Sequence, residues 1–431
     1  MKRALLLTYY VPPRAAIASV RIGHLLEHLP RYGWEVVPVT PDFGDTAYGA
    51  NVRTTSVVDF KAPVRRILGV KAHESTHERL GFASTGVRPP SLMRRAVALG
   101  YNVAEFANTR FGWLVPGSHA VARMLRNERF DAVISTSPPS ATHLVAARVH
   151  GHIPWIADLR DPWHRNDEMV FPAPLAALDR ALEPRTFRTA AALTIVSEPL
   201  AARLRVRYPS IPVFAIPNAF SAREWDGVAF ARPERATFMH PGQLYEGRRD
   251  PRPFFAALAS LIADGSIEPG EIEVNFYGCT QPWLRAQIAA YGLDGIVRTY
   301  ETLAREKILA LERASSRLLL FLWDGPDEEG TYTGKLFEYL GARRKIIAVG
   351  GAPRMVIDDA LARSGAGARY RDTATLRAAI LDVVREHRAG FEAMVPSDAV
   401  APFESVHLAR QFARVLDACT NSDTPLATES A

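Results

Sequence analysis

Residues 331–350 read TYTGKLFEYLGARRKIIAVG. The second half, 345–349 (KIIAV), is a short apolar run closed by Gly350 and Gly351. That is the pattern of a strand buried on both faces of a parallel sheet and followed by a tight turn. The first half predicts a helix that begins near Gly334 and stops at Gly341. Leu336, Phe337 and Leu340 supply its buried side, while Lys335 and Glu338, three apart, share a face.

The helix start carries chemistry. A helix N-terminus offers unpaired backbone N–H groups and a partial positive charge. Thr331, Thr333 and Gly334 are small enough to let a ligand approach, and Lys335 adds a full charge, so a diphosphate is well served there. Glu338, one turn deeper, can accept two hydroxyl donors at once, as the 2′- and 3′-OH groups of a ribose would supply. The alternative for Glu338 is an ordinary solvated helix glutamate.

With these residues the stretch resembles the nucleotide-binding segment of GT-B-fold glycosyltransferases that use nucleoside-diphosphate sugars. It is most similar to the bacterial retaining, family 4-like members with a GKLFEYL signature. In many of them two glutamates stand eight positions apart, and the second binds the ribose. Here the second is Glu338; the first position is Gly330, with Glu328 or Glu329 as displaced alternatives.

At 431 residues the chain exceeds one core, which predicts two domains. A hydrophobic fraction of 48% with 23% charged residues is ordinary for a soluble globular enzyme. Two cysteines, Cys279 and Cys419, make neither a disulfide framework nor a metal cluster, which fits a reducing cytoplasm. Lys2–Arg3 followed by ALLLTYYV mimics a signal peptide, but the run is only strand-length and Pro12–Pro13 interrupts it. No run approaches the ~20 apolar residues of a membrane-spanning helix. Net charge is +6, and residues 61–130 alone hold 12 Lys/Arg against four acids. This basic segment fits an anionic partner or membrane surface, or equally a solvated arginine-rich face. Nothing points to nucleic acid.

Taken in order, residues 3–8 (RALLLT) read as the first strand, 19–29 as a helix and 35–40 as the second strand, a βαβ unit. No G-x-G-x-x-G follows the first strand, which argues against a dinucleotide-binding dehydrogenase. The resembled family often has a Gly-Gly pair in this loop, near the donor diphosphate, where this chain has Ala15–Ala16. Arg14 and Arg21 are the candidates there for anion contacts, with a surface arginine as the alternative for each. In 91–106, Leu92, Ala96, Leu99, Val103 and Phe106 recur at helical spacing beside Arg94 and Arg95. Such a stripe packs on its own core or lies on a membrane, and the first reading is preferred.

Strands follow at 131–136 (DAVIST) and 153–157 (IPWIA). Asp158, Arg160, Asp161 and Trp163 then fall at the carboxyl end of the latter, where sites form in open sheets. The order STSPP then ADLRDPW resembles the N-terminal domain of the same glycosyltransferases, which makes Asp158 or Asp161 acceptor-side groups beside Arg160. His143, His150 and His152 lack a metal-ligand pattern, and no Asp-x-Asp motif occurs. A strand at 192–197 and a helix at 199–208 precede Pro217–Asn218–Ala219, a partial match to the family's P-N-G. The polar run 221–235 reads as an interdomain linker.

The second half repeats the phosphate logic. A strand at 236–240 leads to PGQLYEGRRDP and a helix at 253–262. Here the resemblance assigns Arg248 or Arg249 to the leaving diphosphate and Gly242 to close backbone approach. Gly278, ending the strand 271–278, is expected beside the nucleotide base. Another strand is expected at 317–323. The helix around 403–416 is expected to cross back to the first domain.

The expected architecture is α/β, a GT-B fold of two Rossmann-like doubly wound parallel-sheet domains facing a central cleft. Its parts are an acceptor-side domain at 1–217 with a variable basic insertion at 42–110, a nucleotide-sugar-binding domain at 236–402, a returning helix at 403–419 and a disordered tail at 420–431. The function implied is metal-independent, retaining transfer of a sugar from a nucleoside-diphosphate sugar, the substrate, to an acceptor hydroxyl. No cofactor is expected. Lys335 with Arg248 or Arg249 would stabilise the departing diphosphate, and Glu338 would hold the ribose. The expected acceptor is a glycan or lipid-linked intermediate of surface polysaccharide or glycoconjugate assembly, with natural-product glycosylation as the other pathway. The expected place is the cytoplasm, peripherally on the inner membrane. A sugar-nucleotide epimerase, a phosphorylase and a catalytically weak nucleotide-binding relative are the alternatives.

Overall fold

Lys2–Leu7 (KRALLL) forms β1, fully buried from Ala4 onward. It pairs in parallel with β2 (Trp34–Pro41) on one side and β4 (Ala132–Ser137) on the other. The computed structural model describes residues 1–14, 17–44, 46–63, 66, 92–164, 171–246, 248–325 and 328–421. These divide into two compact units, Met1–Pro217 together with the stretch from Ser405 on, and Asn218–Glu404.

The first unit holds one sheet in the order β3-β2-β1-β4-β5-β6-β7, with β3 at Arg53–Thr55, β5 at Trp155–Leu159, β6 at Ala192–Ile195 and β7 at Val213–Ala215. All of its pairings are parallel. The helix Ser405–Thr420 belongs to this unit and lies along the helix Ile17–His28.

The second unit holds β10-β9-β8-β11-β12-β13, again all parallel. Its strands are β8 Ala236–Pro241, β9 Ile272–Tyr277, β10 Val297–Tyr300, β11 Arg317–Leu322, β12 Ile346–Gly350 and β13 Gly367–Tyr370. Alternate residues of β11 enter opposite cores. Leu319 and Phe321 pack with the helices Arg252–Ala263 and Thr373–Arg388; Leu318, Leu320 and Leu322 pack with Gly334–Ala342 and Val356–Ser364. A strand covered on both faces must be apolar throughout, which is why RLLLFL shows no alternation. Both units thus have the doubly wound architecture of the GT-B fold.

Four readings change. Gly341 does not stop its helix, which runs to Ala342 and ends where Arg343 turns left-handed at φ 58°. A Cβ on Gly341 would lie 2.2 Å from Trp225 Nε1, so glycine is there to admit the indole. The run 221–235 is not a free linker but part of the second unit. Trp225 is buried, Arg313 donates to its carbonyl at 3.0 Å, and Arg313 and Arg344 both lie over Phe230. Finally, of the stripe expected in the helix Leu92–Phe111, Phe106 is buried, together with Tyr101 and Ala104, while Leu99 and Val103 are exposed and the side chains of Leu92 and Ala96 lie outside the described residues. The Lys61–Glu105 pair at 2.9 Å and the Arg110–Asp179 pair turn the side that carries Tyr101 and Glu105 inward. The fourth concerns the ends of strands and helices, which shift by a few residues, as β5 does from 153–157 to Trp155–Leu159. The Ala15–Ala16 pair, residues 67–91 of the basic segment, the side chains of Arg94 and Arg95, and residues 422–431 lie outside the described residues.

Candidate functional site

In the second unit the chain leaves β8 and β9 through two glycines in the left-handed region, Gly242 at φ 98° and Gly278 at φ 78°. Gly242 N–H donates to the Tyr277 carbonyl at 2.6 Å, and Gly278 N–H to the Tyr300 carbonyl at 2.8 Å. The Cys279 thiol donates to Gly242 O at 2.6 Å, and Gln243 Nε2 donates to Gly278 O at 2.6 Å. These bonds fix both turns at the carboxyl ends of the strands. A Cβ on Gly242 would stand 2.4 Å from Lys335 Nζ; one on Gly278 would stand 3.2 Å from Thr302 Oγ1 and 3.7 Å from Gly242 Cα. The Lys335 ammonium therefore rests directly on the Gly242 backbone.

Lys335 is the second residue of the helix Gly334–Ala342. Thr333 caps that helix, its hydroxyl accepting the Lys335 N–H at 3.4 Å. Among the described residues Lys335 makes no salt bridge. Burial pushes its pKa down by more than the Glu338 charge raises it, and Arg249 adds a smaller repulsion. Such a cation gains most from a multiply charged anion placed beside it. Arg248 stacks on Trp323 at 4.7 Å, and Arg249 lies over Tyr245 at 5.4 Å.

Glu338 sits one turn deeper, and its side chain keeps 19% of its surface exposed. Arg305 Nη1 donates to Glu338 Oε2 at 2.6 Å, and Arg305 Nη2 donates to Glu224 Oε2 at 2.7 Å. Glu312 lies against Glu338 from behind. Burial raises the Glu338 pKa, but the adjoining Glu312, the Arg305 charge and bond, and the Lys335 charge together bring it below the usual carboxylate range. Glu338 is thus an ionised acceptor. Sequence reading missed Arg305, Glu312, Glu224 and Thr302. Arg305, Leu309 and Glu312 do recur at i, i+4 and i+7 on the helix Arg305–Arg313, a spacing that marks one face without saying what the face meets.

In the first unit Asp158 is fully buried and accepts four hydrogen bonds. Two come from Arg21, Nη2 to Oδ1 at 2.8 Å and Nε to Oδ2 at 3.1 Å; Thr136 and Thr194 supply the others at 2.9 and 2.7 Å. Arg21 also donates to Pro217 O at 3.0 Å. The pair ties the helix Ile17–His28 to β4, β5 and β6, and this geometry leaves neither Asp158 nor Arg21 open to a ligand. Arg160 clamps the preceding loop, donating to Ser137 O at 3.0 Å and Pro138 O at 2.7 Å. Asp161 is half-buried on the loop after β5. Arg14 lies 4.3 Å over Phe43.

That loop continues into a second charged group. His164 Nδ1 lies 3.2 Å from Asp179 and Nε2 2.9 Å from Glu183, both on the helix Ala173–Phe187. Arg110 and Trp163 also donate to Asp179, at 2.6 and 3.0 Å, and Arg207 reaches Glu183 at 2.7 Å. Burial lowers the His164 pKa, but the two carboxylates outweigh it and raise it to about 9. Among the described residues no group of three or more His, Cys, Asp or Glu side chains is arranged to hold a metal ion. No described helix is long and apolar enough to cross a membrane.

Residues 18–219 match the family model described as Glycosyl transferase 4-like domain. No curated protein matches the sequence. Among solved structures the fold is similar to sucrose-phosphate synthase from Thermosynechococcus elongatus, at TM-score 0.58 and 12% identity over 96% of this chain and 98% of that one. It is similar to the lipopolysaccharide outer core galactosyltransferase WaaB, at 0.56 and 14% over 97% and 99%. It is also similar to a mutant of TarM from S. aureus in complex with Fondaparinux, alpha-GlcNAc-glycerol and UDP, at 0.59 and 8% over 97% and 100%.

Proposed function

We propose, from the premise that this chain is a GT-B-fold protein carrying a glycosyl transferase 4-like domain, that it transfers a sugar from a nucleoside-diphosphate sugar to an acceptor hydroxyl. The carrying observation is the Lys335 ammonium resting on the Gly242 backbone at a capped helix start, with the ionised Glu338 one turn deeper. A diphosphate leaving group gathers negative charge as the glycosidic bond breaks, and fixed positive charge at that point lowers the barrier. Lys335, the N–H groups from Thr333 and Gly334 onward, and Arg248 or Arg249 take this role. Glu338 accepts the two ribose hydroxyls. Gly278 leaves room for the base. In the first unit Asp161 remains the acceptor-side candidate beside Arg160. Asp158 and Arg21 contribute by holding the helix Ile17–His28 to the sheet rather than by touching substrate.

The reaction needs no metal in this reading and keeps the anomeric configuration. The acceptor is a glycan or lipid-linked intermediate, met in the cytoplasm at an anionic membrane surface to which the basic segment 61–130 is drawn. Co-sedimentation with anionic vesicles at low salt tests that last element, which fails if the protein stays in the supernatant.

The primary test is a screen of nucleoside-diphosphate sugars for saturable thermal stabilisation, beginning with uridine donors because the TarM complex contains UDP. Product analysis then separates transfer from epimerisation. Stabilisation by no donor, or epimerised sugar nucleotide as the product, refutes the reading.

A further inference from the structure

Glu312 is the one described carboxyl group that is wholly buried next to the proposed nucleotide site yet takes no part in the chemistry above. Neither of its oxygens receives a bond from any N–H or O–H donor among the described residues. An ionised carboxylate in that state is untenable, since a buried charge has lost its hydration with no partner to replace it. The neighbouring anion, Glu338, makes ionisation worse. Charged and titratable groups face Glu312 from several sides: Glu338, Lys335 and Tyr339 from the helix Gly334–Ala342, Arg305 from its own helix, and Glu224 beyond Arg305. His240 at the end of β8 is kept neutral by burial. Burial first, and the Glu338 charge second, raise the Glu312 pKa well above the carboxylate range. A carboxylic acid that retains its proton becomes a donor, and the acceptor within reach is Glu338.

We propose that Glu312 is a positioning residue for the nucleotide: as a neutral acid it donates to Glu338 and, together with Arg305, fixes that carboxylate to accept the ribose diol. Arg305 and Glu312 stand seven residues apart on one helix face, with the fully packed Leu309 between them, so one rigid element presents both. Arg305 is itself held by Glu224. Glu338 is then gripped from two directions, by a cation and by a neutral donor. Neither removes its charge, so it remains able to accept two hydroxyls.

This rests on the proposed nucleotide site and deepens it. The experiment measures binding of uridine and guanosine diphosphates and their 2′-deoxy analogues to the wild type, Glu312→Gln and Glu312→Leu, from about pH 6 to 10. Unfolding temperature is monitored for each variant. The Gln variant keeps a permanent donor. It is expected to bind within about twofold of the wild type at neutral pH, and to hold that affinity to higher pH, because no second negative charge can appear beside Glu338. The Leu variant loses a hydrogen bond to a charged group, so its affinity for the ribonucleotide falls about tenfold. Its affinity for the 2′-deoxy analogue is expected to change far less, so that discrimination between the two collapses. Unchanged affinity and discrimination in the Leu variant overturn the positioning role and leave the nucleotide site standing. So does a Gln variant that loses as much as the Leu variant while melting like the wild type. A wild type that binds no nucleoside diphosphate overturns the site and this role together.

Discussion

Lys335 and Glu338 stand three residues apart and ask for different losses when removed. Lys335→Ala takes away the charge that meets the leaving diphosphate, so kcat for transfer should fall by about 100-fold or more. Glu338→Ala should mainly weaken donor binding and erase the preference for ribose over 2′-deoxyribose. Both variants at wild-type rates and affinities would end the assignment. Gly242→Ala is a finer probe. The new methyl would arrive 2.4 Å from Nζ, the far end of a flexible side chain, so the lysine moves rather than the strand. Nucleotide affinity should drop about tenfold, on the scale of one misplaced charged hydrogen bond; a loss confined to stability, from the φ of 98°, would show that the ammonium position is unimportant. At this scale the sequence revealed what local spacing can reveal. GKLFEYL exposes a charge, a cap and a carboxylate within two turns. It could not reveal that Arg305 and Glu312 converge on Glu338, because that pairing joins residues about 30 positions apart on separate helices. Nor could it separate Asp158, which has four donors and no solvent, from Asp161, three residues on.

Helices and loops show where local signals mislead. Gly341 has the sequence appearance of a terminator, yet its lack of a side chain serves Trp225, and Arg343 ends the helix instead. The polar run 221–235 looked like linker because Trp225 and Phe230 are single aromatics among charges, and the arginines that cover Phe230 come from elsewhere in the chain. The buried strands were legible because a strand covered on both sides leaves an unbroken apolar run. The loop after β5 supports a prediction of its own. The folded state holds the His164 proton to about pH 9, against 6.5 for the free side chain. A raised folded pKa stabilises the protein fully below the unfolded value, and this stabilisation disappears as pH rises through the folded one. The wild type should therefore melt above His164→Gln at about pH 6, and the gap should close by about pH 10. A gap that is constant with pH would show that protonated His164 does not clamp the loop to the helix Ala173–Phe187.

On the scale of the molecule, the first unit is assembled from two distant parts of the chain. The helix Ser405–Thr420 buries Leu408, Phe412 and Leu416 in it. Lys2 and Trp34 both donate to Asp417, at 3.0 and 3.2 Å, and His28 meets Ser405 at 2.8 Å. Burying a large apolar side chain is worth about 1.5–3 kcal/mol, so the three contribute on the order of 5 kcal/mol or more. That is comparable with the whole stability of a domain. A chain ending at Glu404 should lose the first unit's melting transition, or shift it far down, while the unit Asn218–Glu404 still melts as before. Calorimetry checks this, and two unshifted transitions would refute it.

The same discontinuity sets an order of events during synthesis. The portion from Asn218 to Glu404 is contiguous and can finish as soon as it emerges. The portion that is translated first cannot. Its opening strands must wait for the closing helix, about 190 residues later, or roughly 10–40 s at 5–20 residues per second. For that interval the surface that Leu408, Phe412 and Leu416 cover in the finished protein stays open to water.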